Sequence, residues 1–179
     1  MLQDARDYTL ALFERFQEAG LDDPARVPYL TIVNPPLWEL GHIAWFSEWF
    51  VLREAQSSAP AAAQHPSILP KADSWFDSNA VAHQTRWKLD LPDVAVLKNY
   101  GDEVLNRILE KLRHCDPSNL YSYRLALAHE DMHGEAFAYT LQTLGAAAPR
   151  QLAIPAAPAC PQMDIHFVGG ESQLGSKPD

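Results

Sequence analysis

Apolar positions recur at helical spacing in four stretches of this chain. The first runs from about Leu2 to Glu18; Leu12, Phe13 and Phe16 fall on its inward face and Gly20 stops it. Leu21 to Val33 holds two prolines and reads as a connector. The second helix starts at Asn34, a good N-cap, with Pro35 in the first helical position, where a missing N–H costs nothing. From Leu37 to Leu52 it places His42, Trp45, Phe46 and Trp49 on one face. The third runs from about Asp93 to His114 on a stripe of Val94, Leu97, Val104, Ile108 and Leu112, with Gly101 as its weak point. The fourth takes Asp116 as N-cap and Pro117 as first residue, and ends at Gly145. Its stripe is Ser122, Ala126, His129, His133, Ala136, Phe137 and Thr140, so two histidines stand where large aliphatics usually do.

Between the second and third helices, residues 55 to 92 lose this period. The piece SSAPAAAQHPSILP is loop-like, and Trp75, Phe76 and Trp87 follow, interleaved with Asp73, Asp77, His83 and Arg86. A structureless loop of this length is uncommon inside a compact domain, so the segment is expected to be partly helical or functional and to pack over the bundle end. After Gly145 the chain changes character. Four prolines fall between Ala146 and Pro161, and DIHFVGGESQLGS then reads as one strand and a Gly-rich turn. One strand without a partner is not a domain. The expected organisation is therefore a helical bundle over 1–145, a Pro-rich linker over 146–163, and the start of a missing β-rich domain over 164–179.

Composition narrows the partners. The 179 residues are 47% hydrophobic, with enough aromatics for a real core. A net charge of -9 with only 14 Lys and Arg argues against nucleic acid and anionic membrane surfaces. Two cysteines, Cys115 and Cys160, make no disulfide framework, and the first residues lack the apolar core of a signal peptide. No window approaches a membrane span. A cytoplasmic setting is the expectation.

The chemistry lies in His129 and His133. Four residues apart on a helix, they present both imidazoles on one face and can chelate one divalent metal. His42, on the apolar face of the second helix, is the natural third ligand, since bundles build metal sites from facing helices. Three neutral nitrogens leave coordination positions open, which points to catalysis; they suit Zn, Fe, Cu or Ni and discriminate poorly among them. HEDMH also matches the zincin pattern, with Glu130 as base, though the only downstream histidine is His166. Near an open metal site Arg86 could clamp a substrate carboxylate, His83 beside it is a candidate substrate contact, and one of Trp75, Trp87 and Trp49, otherwise core residues, could offer a π-face to a cation.

Three stretches in order, NPPLWELGHIAWFSEWF (34–50), HEDMH (129–133) and HFVGGESQLGS (166–176), resemble the ergothioneine-pathway sulfoxide synthases. Those enzymes join a DinB-like four-helix bundle to a formylglycine-generating-enzyme-like domain. The resemblance implies Fe(II) on His42, His129 and His133, and O2-dependent coupling of a chalcogen to C2 of hercynine's imidazole. It further implies that Arg86 binds a substrate carboxylate. The segment 69–92 is closer to the selenoneine-synthase branch, with Asp77, Ser78 and Asn79 where the sulfur enzymes carry an NSYY-type sequence. The first expectation is thus carbon–selenium bond formation between hercynine and a selenosugar; the alternative is carbon–sulfur bond formation with a thiol. The resemblance assigns no catalytic group to this segment beyond the metal ligands and places the rest of the pocket in the C-terminal domain of the same polypeptide, so the segment alone should not turn over. Two further readings remain: a stand-alone DinB-like thiol transferase or hydrolase ending near Gly145, and a non-catalytic helical module whose histidines are simply buried.

Overall fold

In the computed structural model, the structure describes residues 1–57, 59, 62–147, 163–164, 166 and 168–171. Five α-helices follow in order: α1 Leu2–Ala19, α2 Pro36–Ser47, α3 Ala72–Phe76, α4 Val94–Arg113 and α5 Tyr121–Thr143. The four long ones form the expected bundle. α1 lies against α5, and α2 against both α4 and α5. The inward faces of α1 and α5 meet at Phe137, whose ring sits 6.2 Å from Phe13 and 5.2 Å from Phe16. Leu12, Phe13, Phe16, Val104, Ile108 and Phe137 are all but fully buried.

Helix ends follow local chemistry, with two shifts from expectation. α1 stops where the Gly20 and Leu21 N–H groups return to Gln17 and Phe16. α4 is capped by Asp93, whose side chain accepts from the Val96 N–H. Helix α2 begins at Pro36 rather than Pro35, with Pro35 as its extended N-cap. Asp116 and Pro117 do not start α5. Asp116 instead caps a separate 3-10 turn, Pro117–Asn119, and α5 begins at Tyr121. Proline in a first position suits either kind of turn, so the motif announces a start without naming which helix starts.

Helix α2 departs further from an amphipathic stripe. Every residue from Pro36 to Trp45 is buried, and Phe46 and Phe50 are half-buried. Beyond Ser47 the helix widens into a π-helical turn, Glu48–Leu52. The cover comes from residues 62–92, which hold α3 and a 3-10 turn, His83–Lys88. This segment runs along the flank of α2 instead of closing the bundle end. The Nε1 groups of Trp38 and Trp45 donate to the Trp75 carbonyl at 2.6 Å and to Asp73 at 2.7 Å. Glu48, fully buried, accepts from the Ser67 hydroxyl at 2.7 Å, the Ile68 N–H at 2.5 Å, and the Tyr100 hydroxyl.

Two glycines permit close approaches. A Cβ on Gly101 would stand 2.8 Å from Arg6 Nη1; the expected weak point of α4 is the passage for a buried guanidinium. A Cβ on Gly41 would stand 2.3 Å from the Phe76 ring, so α3 rests directly on the α2 backbone. Of the tail, Asp164, His166 and Val168–Glu171 are exposed and outside any strand, and most of the expected strand lies outside the described residues. No helix among the described residues is long and apolar enough to cross a membrane.

Gly41→Ala is expected to destabilise the chain by about 1–3 kcal/mol through overpacking, exceeding the roughly 1 kcal/mol gained in helix propensity. Thermal unfolding should show a Tm lower by a few degrees; a Tm at or above wild type would mean that α3 does not rest on α2.

Candidate metal centre

Helices α2 and α5 carry His42, His129 and His133 to one point. One nitrogen from each lies within 4.8 Å of the other two. The His129 and His133 Nε2 atoms are 3.2 Å apart. The ring of His42 meets His129 and His133 edge-on, with centroids 5.0 and 5.1 Å away. Metal–nitrogen bonds of about 2.1 Å set neighbouring ligand nitrogens about 3.0 Å apart in an octahedron and about 3.4 Å in a tetrahedron. The His129–His133 spacing falls between these values, and the donor set fits a divalent transition metal.

The second ring nitrogens differ. Nδ1 of His42 is 2.8 Å from the Phe76 carbonyl, which only accepts; the proton therefore sits on Nδ1 and Nε2 keeps its lone pair. Nδ1 of His133 is 2.6 Å from Glu39 Oε1. Nδ1 of His129 is buried without a partner among the described residues, and its ring lies flat on Phe46 with centroids 3.5 Å apart. Trp38 stacks on His42 at 4.8 Å from one side, and Trp45 at 5.8 Å from the other.

Burial keeps the His42 and His129 rings neutral. Desolvation, then the nearby His133, lowers the His42 pKa to about 3 against the opposing Phe76 hydrogen bond. The same two causes, with His42 added, lower His129 to about 2. Neutral imidazole is the form that ligates, so both stay competent well below neutral pH.

The other sequence candidates separate. Arg86 reaches the cluster's immediate neighbours. Its guanidinium lies 3.8 Å over the Trp38 ring, donates to Asn34 Oδ1 at 2.7 Å, and keeps a buried Nε without a partner among the described residues. His83 and Trp87 are not brought into the cluster. Each is bonded to the connector, His83 Nε2 to the Val33 carbonyl at 2.7 Å and Trp87 Nε1 to the Val27 carbonyl at 2.9 Å, and both pack on Tyr29. Glu130 is committed elsewhere too. Arg6 of α1 holds its carboxylate, Nε 2.9 Å from Oε1, with both side chains 3% exposed. That corrects the zincin reading, which needs Glu130 free to take a proton from water at the metal.

Sequence reasoning missed Glu39, Trp38 and the Phe76 carbonyl. Glu39 and Trp38 stand three and four residues before His42, on its own helix face, and an acid inside an apolar run was the available signal.

No protein-family model matches the chain. The hercynine oxygenase of Mycolicibacterium thermoresistibile is 26% identical over 141 residues, covering 78% of this chain and 29% of that protein. The hercynine oxygenase of Mycolicibacterium smegmatis is 26% identical over 140 residues, covering 76% and 30%. The chain is similar to these proteins over most of its own length and spans less than a third of theirs.

The neutral histidines give the metal-free chain a pH signature. Unfolded, His42 and His129 bind protons below about pH 6.5; folded, they refuse them until about pH 3 and 2. Stability is therefore full above pH 6.5 and declines as pH falls, by up to about 1.4 kcal/mol per pH unit for each ring. Thermal melts between pH 7 and 5 should show Tm falling, and less steeply for His129→Phe. Equal slopes would mean that His129 is protonated in the fold.

Proposed function

We propose that this chain is the iron-binding bundle of an O2-dependent enzyme that couples a chalcogen to the imidazole of hercynine. The observation that supports it best is the convergence of three imidazoles from α2 and α5, with His42 and His129 held neutral by desolvation. The similarity to two hercynine oxygenases supports the substrate. Fe(II) held by three uncharged nitrogens would supply O2 and redox chemistry while leaving positions for both substrates.

The chain's own residues would prepare that ion and one substrate. His42, His129 and His133 bind it through Nε2. Trp38, Trp45 and Phe46 fix the ring planes, and the apolar surroundings keep protons off the ligands. Arg86, half-buried and anchored on Trp38 and Asn34, would pair with hercynine's carboxylate. Holding the substrates beside the ion turns an encounter of several molecules into one bound geometry. Residues following the linker complete the pocket in the whole polypeptide, so this segment alone binds metal without turnover.

For the donor, we favour a selenosugar bearing a free selenol, with the C2–H bond of hercynine and the Se–H bond of the donor replaced by C–Se and O2 taking the two electrons and two protons released. The 69–92 segment that carries the selenoneine-like sequence also carries the Phe76 carbonyl that fixes His42, which supports a link between that segment and the chemistry. The sulfur reading is the alternative, favoured by the names of the two relatives only as far as hercynine itself.

The test is turnover by the complete polypeptide with Fe(II), O2 and hercynine, given either a selenosugar or thiols. Higher kcat/KM with the selenosugar supports the first reading, and higher kcat/KM with a thiol replaces it by the second. Product with neither donor removes both. In the same assay Arg86→Ala should raise KM for hercynine about tenfold or more, as expected for a lost charged hydrogen bond. Unchanged KM for both substrates would remove Arg86 from the binding site.

A further inference from the structure

We infer that Glu39 is the positioning residue of the metal centre: it locks His133 into its metal-binding tautomer and supplies the negative charge that three imidazoles lack. The inference rests on reading the three histidines as a metal centre.

Glu39 is 1% exposed and is the one acid of α2, whose other residues are apolar apart from His42 and Ser47. Burying a carboxylate there is costly unless something specific compensates it. The other buried acids have structural partners. Glu48 accepts from Ser67, Ile68 and Tyr100, Glu130 is paired with Arg6, and Asp77 accepts from the backbone and side-chain amides of Asn79. Glu39 alone among the buried carboxyls hydrogen-bonds a histidine of the cluster, at 2.6 Å. Its place in the first turn of α2 helps, because the N-terminal end of a helix favours negative charge.

An ionised carboxylate accepts hydrogen bonds and donates none. Facing Glu39, His133 must carry its proton on Nδ1, which leaves the Nε2 lone pair directed at His129 and His42. The contact also raises the basicity of the imidazole toward a metal. The three ligands are therefore graded. His133 is backed by an anion, His42 by a neutral carbonyl, and His129 by no partner among the described residues. Three neutral ligands leave the full charge of a divalent ion inside an apolar bundle, and Glu39 offsets part of it.

Fe(II) titration under anaerobic conditions tests this on the 179-residue chain, comparing wild type with Glu39→Gln and Glu135→Gln. Glu135 is exposed on the same helix as His133 and controls for net charge. Glu39→Gln should weaken binding about 10- to 100-fold; Glu135→Gln should stay within about twofold. Ring-nitrogen chemical shifts of the metal-free chain give a second readout. Wild-type His133 should be the Nδ1–H tautomer, and Glu39→Gln should show a mixture, because an amide donates as well as accepts. Wild-type affinity and an unchanged tautomer in Glu39→Gln would overturn the inference and leave the metal centre standing. An Nε2–H tautomer of His133 in the wild type would overturn it however the variant behaves. Failure of the wild type to bind Fe(II) would sink the metal centre itself, and this inference with it.

Discussion

Trp38, His42, Trp45 and Trp49 stand in line along α2 and the π-helical turn that continues it, and each brings a ring N–H into the buried interior. A buried donor left unpaired costs about 1–3 kcal/mol, so four of them set a demand that the rest of the chain has to meet. One stretch meets all four. Trp49 donates to the Ser57 carbonyl at 2.9 Å, Trp45 to Asp73 at 2.7 Å, Trp38 to the Trp75 carbonyl at 2.6 Å and His42 to the Phe76 carbonyl at 2.8 Å. Ser57, Asp73, Trp75 and Phe76 are thus the polar lining of a helix that has no polar face of its own. Arg53 steadies that lining through its bonds to both Asp73 oxygens, and Gly41 lets it approach.

The same pairing places the metal ligands. With their N–H groups fixed, Trp38, His42 and Trp45 stack in series, Trp49 packs tilted against Trp45, and a guanidinium caps each end, Arg86 over Trp38 and Arg53 over Trp49. His42 is held from both sides before any ion binds. α5 is fixed in rotation by two buried carboxylates, Glu39 meeting His133 on one side and Glu130 meeting Arg6 on the other. Preorganisation of this kind removes the reorganisation that metal binding would otherwise need.

Much of this was legible in the chain. Helical periodicity marked the four long helices, and the i, i+4 spacing of His129 and His133 with an apolar His42 marked the cluster. The helical content of the segment before α4 was anticipated, but where residues 62–92 pack was not, because their contacts follow ring N–H groups rather than any period. Trp45 with Asp73 and His42 with Phe76 lie 28 and 34 residues apart. Arg6 and Glu130 are 124 apart, and nothing local marks them as a pair. His83 and Trp87 show the reverse problem. A histidine and a tryptophan in an aromatic, charged segment read the same whether they line a site or clamp a connector, and here they bond to Val33 and Val27.

The most direct measurement is metal content after anaerobic loading with Fe(II) and removal of excess metal, for wild type, His42→Ala and His129→Ala. The expected result is about one iron per wild-type chain, bound through imidazole nitrogens by X-ray absorption, and little in either variant. Iron retained equally by all three proteins, or bound by none, would contradict a centre built from these histidines.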